Sequence, residues 1–281
     1  MSRTIFITGC SSGIGAAFAR EFNAGGHVVY ATARNAGALE DLAARGIRTL
    51  CVDVNDDESI AAAVAVVRRE QGRIDVLVNN AGFSQVGALM DLAREDLRAQ
   101  YETNVIAPIA VARAALGLLR TAVKQSGQQA VLANVGSIVG LFATPFAGAY
   151  CSSKAAIHSV SETLRMELAP FGIRVVTIQP GGVQSRFGAH AAAAVRLPQD
   201  SLYYAAKDGI LARAQAGQQK AMPAEQFVRP VVRALLADHP PAVVRGGRNS
   251  VRLPLLKRLL PTSVFDATLS ARFGLDRLAG R

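Results

Sequence analysis

The sequence predicts one α/β domain: a doubly wound, parallel sheet of about seven strands with helices on both faces. Three observations predict it. The length, 281 residues, fits one large domain. Short apolar, β-branched runs at 4–8, 27–32, 47–52, 74–78, 130–136, 173–179 and 242–245 alternate with helical stretches. The first run leads straight into a glycine-rich turn and a further helical stretch. Residues 1–250 form the main body, with a variable flap at about 183–225, and residues 251–281 form a basic, amphipathic C-terminal extension. Repeats, low-complexity tracts and linkers are absent from the sequence.

Thr4 to Thr8 has the pattern of a strand buried on both faces. It runs into Gly9-Cys10-Ser11-Ser12-Gly13-Ile14-Gly15 and then the helical stretch Ala16 to Phe22. Glycine permits the sharp turn and the close approach of backbone to phosphate. The helix N-terminus behind it offers free N–H groups and partial positive charge. The spacing is T-G-x-x-x-G-x-G, and no G-K-[ST] follows, which argues against a nucleoside-triphosphate P-loop. The segment reads as the nucleotide cradle of a Rossmann-like fold, with the ligand at the carboxyl ends of the strands.

Tyr150 and Lys154 stand one helical turn apart, and Ser137 precedes them at a strand end. A phenol with a pKa of about 10 exchanges protons poorly at neutral pH. A lysine at i+4 on the same face is expected to favour the phenolate and lower that pKa. A serine hydroxyl can hold the oxygen that gains or loses the proton. Tyr203 and Lys207 repeat the spacing, but His190 stands where a serine would be needed and no strand leads in. That second pair reads as an exposed helix turn.

These elements together resemble the short-chain dehydrogenase/reductase family, over residues 4 to about 190. TGCSSGIG (residues 8–15) is similar to the family's cofactor loop. Asn79-Asn80-Ala81-Gly82 is similar to the segment that steadies the central sheet and borders the cofactor. Asn104, Ser137, Tyr150 and Lys154 match the catalytic tetrad in identity and order, and Pro180-Gly181 resembles the turn over the nicotinamide. The resemblance implies hydride transfer between nicotinamide and a carbonyl or carbinol carbon. Tyr150 would be the acid/base, and Lys154 would lower its pKa and bind the nicotinamide ribose. Ser137 would fix the substrate oxygen, and Asn104 would hold a water linking Lys154 to solvent. Pro108, four residues on, should perturb the helix there and free a carbonyl for that water. The resemblance also implies cofactor contacts at Gly9, Ser11, Ser12, Gly13, Ile14, Gly15, Asn80, Ala81, Gly82, Val183 and Ser185. Dimers or tetramers would be built on the helices at 96–120 and 149–171.

The second strand, His27 to Thr32, ends at Ala33-Arg34-Asn35. An acidic residue near this point would bind the ribose 2′-hydroxyl of NAD, whereas an arginine accommodates the extra phosphate of NADP. Ala33 removes the repulsive carboxylate and Arg34 supplies a guanidinium, so the expected cofactor is NADP(H). Asp53 and Val54 follow the third strand, where the family binds the adenine edge.

The flap carries Phe187, Leu202, Tyr203 and Tyr204, and the loop after Ser137 adds Ile138, Leu141, Phe142 and Phe146. An apolar pocket of this kind suits a lipophilic ketone, aldehyde or alcohol. VYATAR with TGCSSGIG resembles the family's steroid and retinoid branch. Cys10, Cys51 and Cys151 have no metal spacing and form no paired framework, which fits a reducing, cytoplasmic setting. Cys51 is expected in the core, and Cys10 and Cys151, beside the two key motifs, are expected to be the sites open to alkylation. His158 reads as a structural histidine. Residues 125–153 lack Asp, Glu, Lys and Arg, but Asn134, Ser137, Pro145 and the glycines predict a strand, a loop and a helix start, not a membrane span. The first strand has no basic lead or cleavage site before it, so no secretory signal is expected.

Residues 229–281 hold ten Arg/Lys against three Asp/Glu, +7 of the formal +10. After Pro261, Thr262 or Ser263 is expected to cap a helix ending before Gly274, with Phe265, Leu269 and Phe273 on one face. Such a tail packs on its own domain, on a partner subunit, or peripherally on an anionic membrane. No nucleic-acid module accompanies the charge, so nucleic acid is not an expected partner. Two functions follow: an NADP(H)-dependent carbonyl/alcohol oxidoreductase, or a non-catalytic NADP(H)-binding sensor or membrane-surface adaptor. The complete tetrad favours the enzyme.

Overall fold

The computed structural model describes residues 2–278. Seven strands form one sheet: β1 (Thr4–Ile7), β2 (Val28–Ala33), β3 (Arg48–Cys51), β4 (Val76–Asn79), β5 (Ala130–Val135), β6 (Ile173–Pro180) and β7 (Val243–Gly246). Their order is β3-β2-β1-β4-β5-β6-β7 and every pairing is parallel. The seven expected runs each supply one strand, with ends shifted by a residue or two. The order reverses between β1 and β4, and a crevice opens at the strands' carboxyl ends there.

Side chains alternate across the sheet. Ile5, Ile7, Val76, Val78, Val131 and Ala133 face α1 (Gly13–Ala24) and the C-terminal helices. Phe6, Tyr30, Leu77 and Leu132 face the opposite layer. The helices between are α2 (Glu40–Ala43), α3 (Asp57–Gln71), α4 (Arg94–Tyr101), α5 (Ala107–Ser126) and α6 (Gly148–Leu168). The flap contains α7 (Phe187–Ala193) and α8 (Lys207–Gln215). α9 (Ala224–Leu236), α10 (Arg252–Leu259) and α11 (Thr262–Arg272) follow. α3 and α5 cover one face of the sheet with α6, and α1 and α9 cover the other.

The helix expected at 96–120 is longer, because α4 and α5 join through a π-helical turn, Glu102–Ile106. Pro108 lacks the N–H that would bond the Asn104 carbonyl, so the turn relaxes there. The stretch Arg94–Ser126 is long and apolar enough to cross a membrane, but half of its most apolar window is buried inside the domain. Residues 125–153 divide into the end of α5, strand β5, a loop and the start of α6. One detail departs from expectation: Pro261 occupies the N-cap of α11, and neither Thr262 nor Ser263 caps it.

A buried polar chain ties these layers together. The Asn79 amide donates to the Pro108 carbonyl and to Asn134 Oδ1, both at 2.9 Å. Asn134 Nδ2 donates to Ser161 Oγ at 2.9 Å, and Ser161 donates to the Ile157 carbonyl at 2.6 Å. All three side chains are buried. Asn134→Ala should leave one N–H of the Asn79 amide without an acceptor, remove the donor to Ser161 Oγ, and destabilise the fold by about 1–3 kcal/mol. Urea unfolding measures this directly; an unchanged midpoint would mean that water replaces the bridge.

Candidate active site

The glycine turn is shaped by what lies behind it. Thr8 Oγ1 accepts from the backbone N–H of Asn80 and of Ala81, each at 3.0 Å. The Asn80 amide donates to the carbonyls of Thr8 and Gly9 at 2.9 Å. This brings the turn against the end of β4. Gly9 has a φ of 73°, and a Cβ there would lie 2.7 Å from Ala81 Cα. A Cβ at Gly15 would overlap the Gly9 carbonyl and the Asn80 amide. Both positions require glycine.

Ser12 is the N-cap of α1, but its side chain makes no cap bond, and the first turn carries no acidic residue. The first N–H groups of α1 therefore remain available to an anion beside the cavity. Arg34 is exposed at the end of β2, and Asp53 and Val54 follow β3 along the same wall. The donor set fits a dinucleotide: amides for the phosphates, apolar and acidic groups for the nucleoside, and a cation at the ribose end.

A single cavity of about 1070 Å³ joins this cradle to the Tyr150 region. It exceeds the roughly 300–1,000 Å³ typical of a site for one small ligand, leaving room for cofactor and substrate together. Lining it are Gly9, Ser11, Ser12, Ile14, Gly15, Arg34, Asp53, Val54, Asn80, Ala81, Gly82, Ser137, Tyr150, Lys154, Pro180, Gly181, Val183 and Ser185. Two expected site residues do not line it. Gly13 is covered by Ser185, whose Cβ would lie 2.5 Å from a Cβ at Gly13. Asn104 sits behind the wall, where its side chain pairs with both backbone groups of Phe83 at 3.1 and 3.0 Å and donates to Ser153 Oγ at 3.1 Å.

Ser137 lies two residues beyond β5 and caps a 3-10 turn, accepting from the Val139 N–H at 3.3 Å. Its own N–H donates to His158 Nε2 at 3.3 Å. Cβ atoms at Gly136 or Gly140 would run into the His158 ring, so this G-S-x-x-G segment exists to wrap the imidazole. His158 is thereby structural in its contacts. Burial first, then the charges of Lys154 and Arg245, push its pKa down to about 4, so it stays neutral.

The electrostatics of Tyr150 correct the sequence expectation. Burial pushes its phenol up to about 12, and the Ser137 hydroxyl and the Arg213 charge offset only part of this. Lys154 does not lower it. Its Nζ bonds the Val135 carbonyl at 2.7 Å and lies 5.8 Å from the centre of the Tyr150 ring. The i,i+4 spacing puts both side chains on one helix face, but the lysine reaches past the phenol to the end of β5. Burial pushes its own pKa down to about 8.

The substrate end differs in several residues from the expected set. Phe187, Ile138 and Phe142 line the cavity. Phe146 is buried in the core against Tyr203, and Leu202, Tyr204 and Leu141 are exposed. Tyr203 and Lys207 stand apart from the cavity, but they do not form the expected exposed helix turn: Lys207 is exposed at the start of α8, whereas Tyr203 is partly buried against Phe146. Leu253, Phe265, Leu269 and Phe273 of the C-terminal extension form the remaining apolar wall. Sequence reading also missed Gln218, whose side chain holds Ser185 N and the Val183 carbonyl at 2.9 and 3.2 Å. Arg186 pins the flap to the glycine turn through the Ser11 carbonyl at 2.7 Å. Such bonds join residues distant in sequence, and no local pattern announces them.

Fold and site together define a nicotinamide-dependent oxidoreductase. The family model for short chain dehydrogenase matches residues 3–196. A short-chain dehydrogenase/reductase of Pestalotiopsis microspora is 33% identical over 98% of this chain and 95% of its own length. An NADPH-dependent 1-acyldihydroxyacetone phosphate reductase of Schizosaccharomyces pombe is 36% identical over 80% of this chain and 73% of its own. Among solved structures, a short-chain dehydrogenase from Streptomyces avermitilis superimposes with a TM-score of 0.78 at 30% identity, covering 100% and 99% of the two chains. The chain belongs to the short-chain dehydrogenase/reductase family.

The cysteines reverse the expectation. Cys51, at the end of an edge strand, is exposed, whereas Cys10 and Cys151 are buried. Burial raises the Cys10 thiol to about 12, and its Sγ is turned inward to the Ile7 carbonyl at 3.4 Å. Brief treatment of the native protein with iodoacetamide should modify Cys51 alone, and peptide mass spectrometry identifies the site. Labelling of Cys10 without denaturant would mean that the glycine turn opens.

Proposed function

We propose that the protein is an NADP(H)-dependent oxidoreductase that interconverts a carbonyl and an alcohol on a lipophilic substrate, with Tyr150 as the acid/base. The carrying observation is the convergence of Ser137, Tyr150 and Lys154 on one wall of the cavity that begins at the glycine turn. The preference for NADP(H) is supported by Arg34 and by the NADPH dependence of the S. pombe relative. The apolar substrate wall supports a lipophilic substrate.

When bound, the cofactor supplies or receives the hydride. Ser137 holds the substrate oxygen beside the phenol. In reduction Tyr150 gives its proton to that oxygen, and with a pKa raised to about 12 it keeps the proton available throughout the physiological range. Lys154 holds its charge at the end of β5, 5.8 Å from the centre of the Tyr150 ring, and Asn104 holds the Phe83 segment and α6 at fixed spacing. Oligomers through α5 and α6 remain part of this reading, supported by the exposed Ile106, Ile109 and Met166. So does peripheral contact with an anionic membrane in the cell, supported by Val251, Leu255 and Leu259, exposed among Arg252, Lys257 and Arg258.

NADPH oxidation followed by absorbance across a panel of lipophilic carbonyls, with NADH beside it, tests the reading. Tyr150→Phe should keep NADPH affinity and lose more than about tenfold in turnover, equivalent to over ~1.4 kcal/mol. Arg34→Ala should weaken NADPH by about tenfold and leave NADH nearly unchanged; equal losses would remove Arg34 as the phosphate reader. The pH profile carries a sign. Lys154 is charged below its pKa of about 8 and neutral above it. Reductive kcat/KM should thus hold at lower pH and fall as pH rises through about 8, a limb that Lys154→Ala abolishes. A profile flat to pH 10 would remove the ammonium from the mechanism.

A further inference from the structure

Arg213, on the flap helix α8, is nine-tenths buried and lines the same cavity as Tyr150. Its Nε donates to Thr144 Oγ1 at 2.6 Å, the one hydrogen bond its side chain makes among the described residues. No carboxylate there pairs with it. Among the described residues, Asp53 is the one acidic residue that lines the cavity, and it follows β3 at the nucleoside end. A guanidinium stays charged at every relevant pH, and burial without a counter-charge is strongly unfavourable. Thr144 fixes one edge of the fork, and the other donors are left for a ligand. Phe142, Phe187, Phe265 and Leu269 line the same cavity, as does the exposed Arg272 of α11.

We propose that Arg213 is a specificity-determining residue that binds an oxyanion, a carboxylate or phosphate, on an otherwise lipophilic carbonyl substrate. This rests on the enzymatic reading above and narrows its substrate class. The planar fork suits a two-oxygen anion, and the apolar residues take the chain. A buried cation also discriminates: a neutral analogue would leave it unpaired, so neutral and anionic substrates of equal length are separated by the site itself.

The test uses the full chain and matched ligands. In calorimetry on the NADPH-loaded protein, decanoate and decyl phosphate should bind and decanol should bind at least roughly tenfold more weakly. Arg213→Gln should abolish that difference, and Arg213→Lys should keep part of it, with NADPH affinity unchanged in both. The binding arm decides the proposal even when no carbonyl tried is turned over, an outcome that would count against the enzymatic reading alone. In turnover, kcat/KM for a keto acid should fall roughly 10- to 100-fold in Arg213→Gln, while that for the matching neutral ketone stays within a few-fold. Stronger binding of decanoate than decyl phosphate assigns a carboxylate, and the reverse a phosphate. Equal binding of decanol and the anions by the wild type, or equal losses for acid and ketone in Arg213→Gln, overturns the proposal and leaves Arg213 as support for Tyr150 alone.

Discussion

The arrangement of the site depends on the buried bond between Asn79 and Asn134. These side chains meet across the pair β4 and β5, beside a layer of apolar side chains that includes Phe6, Leu77, Val111 and Leu132. Asn79 reaches on to the carbonyl of Pro108, just beyond the turn that carries Asn104. Asn134 reaches on to Ser161 in α6, the helix that carries Tyr150 and Lys154. β5 itself runs out into Ser137. One polar chain therefore sets the relative position of every element that contributes to the tetrad. An apolar contact of the same area would be non-directional and would let α6 slide by fractions of an ångström. Hydrogen bonds in a low-dielectric core have fixed length and direction, and are unfavourable to break.

Around this fixed frame the electrostatics are governed by burial more than by charge. The phenol of Tyr150 is raised, the ammonium of Lys154 is depressed, and His158 is kept neutral, all with desolvation as the largest cause. Each shift favours the uncharged form. The site is thus a dry place where a neutral phenol holds its proton and a marginal ammonium can lose its own near pH 8. The neutral His158 then serves Ser137 as an acceptor, which a protonated imidazole could not do.

The strands and the cradle were legible because their causes are local. A strand buried on both faces reads as an unbroken apolar run, and the T-G-x-x-x-G-x-G spacing follows from the close contacts of Gly9 and Gly15 with the end of β4. The placing of Tyr150 and Lys154 was legible for the same reason: they lie on one helix face at fixed spacing. What the sequence hid depends on side-chain direction and on distant partners. Lys154 shares a face with Tyr150 yet turns to Val135, because the nearest strong acceptor is a strand-end carbonyl. Cys51 sits in an apolar run, but β3 is the sheet edge and the thiol faces outward. Arg213 looks like any surface arginine until α8 is laid over the cavity.

The C-terminal extension and the flap are best understood as one wall. Gly209 of α8 lies so close to the tail that a Cβ would overlap the carbonyl oxygen of Phe273. Phe273 fills a cluster with Ile210 and Ala206 of the flap and Phe146 of the loop after Ser137. Phe265 packs edge-on against Phe142 at 5.8 Å, and Lys257 Nζ lies 5.1 Å from the centre of the Phe265 ring. The apolar face predicted for the tail is therefore directed inward, against the loop and helix that flank Tyr150. Because α8 also carries Arg213, the tail's packing sets the position of the buried cation relative to the Tyr150 phenol. On the proposed reading, substrate selection in this chain would be a property of three segments far apart in sequence, and the proton transfer beneath them would stay on the rigid sheet.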